Sequence, residues 1–234
     1  MNKQNFLIIS VNDDGSHNGP TFSDIGSIYT AKTIMEYSTV NKYYYAIQSE
    51  GLDKSRPTSW SKPFLARKYL EDGYDWIWCI DADVMIMNYE IKLESIVDDN
   101  YDVLITCYNN DINHLNTGSI IYKNSEWTKK FLDEIYDSSK YEIAGPNIFF
   151  EQSAIIKYYK NNPDEQKHFK MIPTRSINAH YHGGMGHLNV NFEPGDLAVH
   201  LAGTDNTYRK EAFEEFVKWK KDQTQPFNVK IWDR

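Results

Sequence analysis

Cysteine is scarce. Only Cys79 and Cys107 occur in 234 residues, and each lies inside an apolar run of strand length. Buried free thiols are expected, as in a reducing compartment. No apolar run reaches membrane-spanning length, and Met1 to Val11 is too short and too polar for a signal peptide. No asparagine begins an Asn-x-Ser/Thr sequon. These absences predict a soluble chain with no membrane span, working in the cytoplasm. Positive charge is also short: 25 Lys and Arg face 33 Asp and Glu, a net charge of −8. That argues against nucleic acid or an anionic membrane as the main partner. Linkers, repeats and low-complexity tracts are missing too, so residues 1–234 read as a single domain. Aromatics, at 15% with 17 Tyr, are abundant. Rings with polar tips suit sugar-binding clefts but also fill ordinary cores.

The chain is organised around Asp75-Trp76-Ile77-Trp78-Cys79-Ile80-Asp81-Ala82-Asp83-Val84-Met85. Trp76 to Ile80 read as a buried strand, and two carboxylates one residue apart follow it. Such a strand delivers both acids to the carboxyl edge of a sheet, where open α/β sheets bind ligands. Carboxylates this close repel unless a cation lies between them, and their hard oxygens suit Mg²⁺ or Mn²⁺. A divalent ion bridging the phosphates of a nucleotide fits that arrangement.

Phe6 to Val11 reads as a first strand, and Ile25, Ile28, Ala31, Ile34 and Met35 recur at helical spacing before a second strand, Tyr43 to Ile47. This βαβ opening puts Val11 and Asn12, at the end of the first strand, in one wall of a nucleotide pocket. Ser59 to Leu70 reads as a helix with Pro63 in its first turn and Phe64, Leu65 and Tyr69 facing inward, so that Lys62 either faces phosphates or is a solvated helix-end lysine. Ile91 to Val97 suggests a short helix, Val103 to Cys107 a strand, and Asn116-Thr117-Gly118 a turn entering another strand. Trp127 to Tyr136 carries an apolar helical stripe, and Pro146-Asn147 precedes a helix bearing Glu151 and Gln152, which alone would read as a solvated face. Phe169 to Ile172 suggests a strand. His180 to His187, with three His and three Gly, reads as a cleft loop and matches no closed zinc site. Asp196 to Gly203 reads as a strand carrying His200, and Glu211 to Lys221 as a closing amphipathic helix.

Together, Trp60-Ser61-Lys62-Pro63, Trp76-Ile77-Trp78 before Asp81-Ala82-Asp83, Leu115-Asn116-Thr117-Gly118, Glu151-Gln152-Ser153 and Val199-His200-x-x-Gly203 form an ordered set. Asn41-Lys42 before Tyr45-Ala46 adds to it. The set resembles the galactosyl/mannosyl/xylosyl transferase family of fungal galactosyl and mannosyl transferases and plant xyloglucan xylosyltransferases. The resemblance implies a GT-A fold, an α/β Rossmann-like nucleotide-diphospho-sugar transferase domain with a mixed central sheet. It implies a UDP- or GDP-sugar donor, Mn²⁺ or Mg²⁺, a glycan or other hydroxyl acceptor and retention of anomeric configuration. By position, Asp81, Asp83 and His200 look like the metal ligands, with Asp81 also near the ribose. Asn116, Thr117 and Gly118 look like donor-sugar contacts. Lys62 and Arg67 match donor-side cations, and Gly203 a donor contact. Gln152, with Glu151 beside it, looks like the residue at the reacting anomeric carbon.

The chain departs from that pattern in three places. The family's amino-terminal anchor has no counterpart, which suggests a microbial or viral relative in the cytosol. Thr204 and Asp205 follow Gly203 where cysteine and a diphosphate lysine are usual, and the nearest cations are Arg209 and Lys210. The paired acids before Gln are Phe150-Glu151. A glycogenin-like or lipopolysaccharide-type transferase, or a catalytically silent sugar- or nucleotide-binding module on the same fold, are the alternative readings.

Overall fold

The protein is described here from a computed structural model, over residues 4–12, 25–50, 52–108, 111–137, 139–141, 149–181, 190–204 and 206–222. The strands are β1 (Phe6–Val11), β2 (Tyr44–Gln48), β3 (Trp76–Ile80), β4 (Val84–Ile86), β5 (Val103–Cys107), β6 (Leu115–Lys123), β7 (Phe169–Ile172), β8 (Ala179–His180) and β9 (Ala198–His200). The helices are α1 (Ala31–Asn41), α2 (Ser61–Glu71), α3 (Glu126–Tyr136), α4 (Phe150–Asn161) and α5 (Asn206–Lys221).

A six-stranded sheet runs in the order β2-β1-β3-β6-β5-β7, and β4-β9-β8 form a smaller one. In the large sheet β3 pairs parallel with β1 and antiparallel with β6, so the sheet is mixed. All five residues of β3 are buried because both faces of the sheet are covered. Ile77 and Cys79 point into a core with Leu65, Leu70, Phe131 and Ile155 from α2, α3 and α4. Trp76, Trp78 and Ile80 point into the opposite core with Ile34 and Tyr37 of α1. The Trp78 indole donates to Ser119 Oγ at 2.7 Å, so its one polar atom is satisfied inside that core. Cys79 and Cys107 are both buried and free, as expected.

Several local expectations are corrected. Ile28 and Met35 do not join the α1 stripe and are 55% and 45% exposed. A π-turn over Gly26–Thr30 precedes α1, and its wider turn rotates Ile28 out of the 3.6-residue register. Phe64 is 41% exposed, with Leu65, Ala66 and Leu70 taking the inner face of α2. The short helix expected over 91–97 reduces to a 3₁₀ turn at Leu93–Ser95. The second sheet was not anticipated, since β4 and β8 are too short to show a period of their own. Residues 16–22, 146–148 and 182–187, where loops and a helix start were expected, lie outside the described residues.

Candidate active site

The acids sit where β3 ends. The Asp81 amide donates to Gly118 O at 2.8 Å, tying the strand end to β6, and the Val84 amide donates back to Asp81 O at 3.1 Å to close a turn. The Thr30 hydroxyl, in the π-turn, braces that turn through Ala82 O at 2.6 Å. The chain then leaves as β4 and pairs antiparallel with β9, Val84 opposite His200. This pairing carries His200 to Asp83: Nε2 lies 3.2 Å from Asp83 Oδ1, and both side chains are buried. Ligand atoms of Asp81, Asp83 and His200 lie within 4.8 Å of one another.

The other Asp83 oxygen accepts from Arg209 Nε at 2.9 Å, while Arg209 also reaches Leu201 O at 3.2 Å. Burial pushes the Asp83 carboxyl up, but His200 and Arg209 outweigh it and hold the group down at about 2. A carboxylate oxygen and an imidazole lone pair 3.2 Å apart would repel, so a proton or a metal cation has to lie between them. Two carboxylates and one imidazole, on one cleft wall, fit a Mn²⁺-type ion that keeps other positions for a ligand.

Beside this cluster, Lys62 is buried in the first turn of α2. Its Nζ meets Asp81 Oδ1 at 2.5 Å, Glu151 Oε1 at 2.7 Å and Thr117 O at 3.2 Å, three acceptors for three ammonium protons. Burial alone would lower the Lys62 pKa, but Asp81 and Glu151 prevail and hold it above the usual lysine range. Glu151 is only 4% exposed, so the solvated-face reading of this position is corrected. Thr117 joins two residues in the first turn of α4, donating Oγ1 to Glu151 Oε1 at 2.9 Å and its amide to Gln152 Oε1 at 3.1 Å. The residue before them, Phe150, has φ of 46°, a left-handed backbone that costs a non-glycine residue about 1 kcal/mol. Across that turn Glu151 is buried and Phe149 is 65% exposed.

A cleft of about 980 Å³ joins these parts, lined by Lys62, Asp81, Asp83, Glu151, Gln152 and His200. Val11, Asn116, Thr117 and Gly203 also reach it. Asn12 lies behind the wall, its amide bonded to Gln48 O at 2.9 Å, where a Cβ on Gly26 would fall 2.3 Å from its Oδ1. Gly118 lies under the His200 ring, where a Cβ would come within 2.1 Å of Cε1. The structure does not bring Arg67 to the cleft. That side chain pairs with Glu71 and, at 3.0 Å, with Asp133. Arg209 does line the cleft, although in sequence it was only the nearest cation after Gly203. Asn178 was missed entirely, and its Oδ1 stands 2.9 Å from His200 Nδ1. Nothing near Asn178 in sequence marks it, because its partners come from three other segments.

Residues 95–211, half of the chain, match the galactosyl transferase GMA12/MNN10 family. The chain belongs to this family. The match takes in Asn116 to Gly118, Glu151, Gln152 and His200, while Lys62, Asp81 and Asp83 precede it. An uncharacterized α-1,2-galactosyltransferase of Schizosaccharomyces pombe is 23% identical over 79% of this chain and 65% of its own length. A probable α-1,6-mannosyltransferase of Saccharomyces cerevisiae is 27% identical over 74% of this chain and 51% of its own length. The chain thus spans between half and two thirds of these relatives. Among solved structures, a glycosyltransferase involved in glycosylation of the major capsid of PBCV-1 superposes with a TM-score of 0.67. It is 17% identical, and the superposition covers 90% of this chain and 98% of that one. The fold of this family member is GT-A, as expected, built on a central mixed sheet. No helix among the described residues is long and apolar enough to cross a membrane.

Proposed function

We propose that this family member is a retaining glycosyltransferase, moving a hexose or pentose from a UDP- or GDP-sugar to an acceptor hydroxyl with help from Mn²⁺ or Mg²⁺. The observation that carries the reading is the junction of the Asp81–Asp83–His200 cluster with the Lys62–Glu151–Thr117–Gln152 network in one cleft. Asp81, Asp83 and His200 would hold the ion, which when bound supplies positive charge against a diphosphate leaving group.

The chain's own residues divide the remaining work. Lys62 holds the ends of β3 and α4 in fixed relation and adds a second cation at the donor side. Arg209 presents a third cation to the same wall. Asn116 and Thr117 bring polar atoms to the cleft for the donor sugar, and Gln152 presents an amide beside Thr117. As the bond from the anomeric carbon to the phosphate oxygen breaks, the sugar gains positive charge. The buried Glu151 carboxylate lies near that charge, but its Oε1 is already taken by Lys62 and Thr117. This occupancy favours a front-face route over a covalent glycosyl–Glu151 adduct. The acceptor oxygen then bonds to the same face of the anomeric carbon, and its proton passes to the departing phosphate oxygen.

The test is incubation with UDP-glucose, UDP-galactose, UDP-xylose, GDP-mannose and related donors plus Mn²⁺, reading nucleotide release and the anomeric proton of the product. One donor should be consumed with its configuration kept, and Asp83→Ala should abolish release. An inverted product, or equal release by Asp83→Ala, would overturn the reading.

A further inference from the structure

The hydrogen bonds behind His200 can be oriented without choosing any side-chain proton freely. The Gly118 amide is a donor by constitution, and it points at Asn116 Oδ1 at 2.8 Å. The Asn116 side chain must therefore turn its oxygen to this point. The Asn178 amide lies 2.9 Å from that same oxygen, so it must present its nitrogen there; the same nitrogen also donates to Thr106 Oγ1 at 3.0 Å. The Asn178 oxygen is thereby left facing His200 Nδ1 at 2.9 Å. An oxygen accepts, so Nδ1 must carry a proton, and Nε2, 3.2 Å from Asp83 Oδ1, is the nitrogen left to face either a second proton or a metal cation. Asn178 is fully buried and His200 nearly so, so water does not offer an alternative partner.

We infer that Asn178 is a positioning residue that fixes His200 in the Nδ1–H tautomer, leaving Nε2 as the metal-ligating atom, and couples that ligand to the Asn116–Gly118 strand entry. The chain of dependence runs from a backbone amide on β6, through two asparagines, to an imidazole on β9. It gives His200 the second hydrogen bond that orients metal-bound imidazoles in general. It also joins the two halves of the cleft. Asn116 and Thr117 form the wall proposed to meet the sugar, and His200 belongs to the cluster proposed to hold the ion. The inference rests on the proposed function only for the identity of the ligands, since the proton on Nδ1 follows from the hydrogen bonds themselves.

The experiment is two-bond ¹H–¹⁵N correlation spectroscopy of the histidine rings in full-length protein loaded with Zn²⁺, a diamagnetic ion that imidazole nitrogen binds and that takes the place between Nε2 and Asp83. His200 is assigned by loss of its signals in His200→Gln. Mn²⁺ affinity of the same proteins, stripped of metal, is measured by electron paramagnetic resonance. Wild-type His200 should be the Nδ1–H tautomer. Asn178→Leu should yield a mixture with Nε2–H and lower Mn²⁺ affinity about 10- to 100-fold. Asn178→Asp keeps an oxygen facing Nδ1 and should keep the tautomer, with affinity recovering above that of Asn178→Leu. A wild-type Nε2–H tautomer would overturn the inference before any variant is made. So would Mn²⁺ affinity in folded Asn178→Leu within threefold of wild type. A shift of tautomer without consumption of any nucleotide sugar would leave the inference standing and sink the transferase reading, so the two fail separately.

Discussion

Gly118 leaves no room for a side chain, because a methyl group there would collide with His200 Cε1 at 2.1 Å and Nδ1 at 2.6 Å. Both are ring atoms of a buried residue on a β-strand, so the ring has to move. Gly118→Ala should therefore weaken Mn²⁺ binding at least tenfold while far-UV circular dichroism stays native. Unchanged affinity would mean that His200 is not a ligand. Lys62 is held for a different reason. It separates two carboxylates, and Glu151 has little access to water. Lys62→Met leaves those carboxylates without their cation and should cost about 3 kcal/mol in urea unfolding. Asp81 and Asp83 stand out in sequence by their spacing, whereas Glu151, Gln152 and His200 were singled out only through the family resemblance; all five line one cleft. Their partners were not legible in sequence. Arg209 and Asn178 join the cluster across 126 and 22 residues through strand and helix placement, which local spacing does not encode.

The two thiols are a separate case. Burial pushes Cys79 well up and Cys107 up to about 12, with Asp111 adding to the latter. The thiolate is the reactive form, so neither should react with a thiol reagent in native protein, and two should react in denaturant.

Among elements, β3 was legible because a strand covered on both faces needs no polar alternation. The α1 stripe misled because a π-turn changes the period, and sequence offers no marker for that turn. At α4 the left-handed Phe150 turns Phe149 outward at the cleft. An exposed ring there suits the apolar face of an acceptor sugar. Phe149→Ala should raise the acceptor KM several-fold with little change in kcat or stability, and an unchanged acceptor KM would place the acceptor elsewhere. On α5, Lys220 donates to Ile86 O at 3.0 Å and lies over the Tyr89 ring. Burial lowers its pKa from 10.5 to about 8, with Glu36 opposing and Lys32 assisting. The folded chain then binds fewer protons than the unfolded chain between those values, so this group's contribution to stability rises as pH rises through that window. After discounting for solvent screening, the gain is about 1 kcal/mol. Wild type minus Lys220→Met, followed by urea unfolding from pH 7 to 10, should rise by that amount; a flat difference would contradict it.

For the whole molecule, the order β2-β1-β3-β6-β5-β7 places the parallel β1 and β3 ends on one edge, and the antiparallel β6 returns Asn116 to Gly118 to that same edge. A βαβ opening and an Asp-x-Asp strand end suffice to anticipate the edge. The small second sheet, which sets His200 beside Asp83, depends on long-range pairing of three short strands. The cleft follows from both sheets together. In the proposed function a divalent cation at Asp81, Asp83 and His200 recruits a nucleoside diphosphate to it. Calorimetric titration of UDP and GDP into wild type and His200→Ala, with Mn²⁺ and with EDTA, tests this most directly. Wild type should bind one of the two at least tenfold more tightly with Mn²⁺, and His200→Ala should lose that gain. Equal binding in Mn²⁺ and EDTA, or an undiminished metal effect in His200→Ala, would contradict the account.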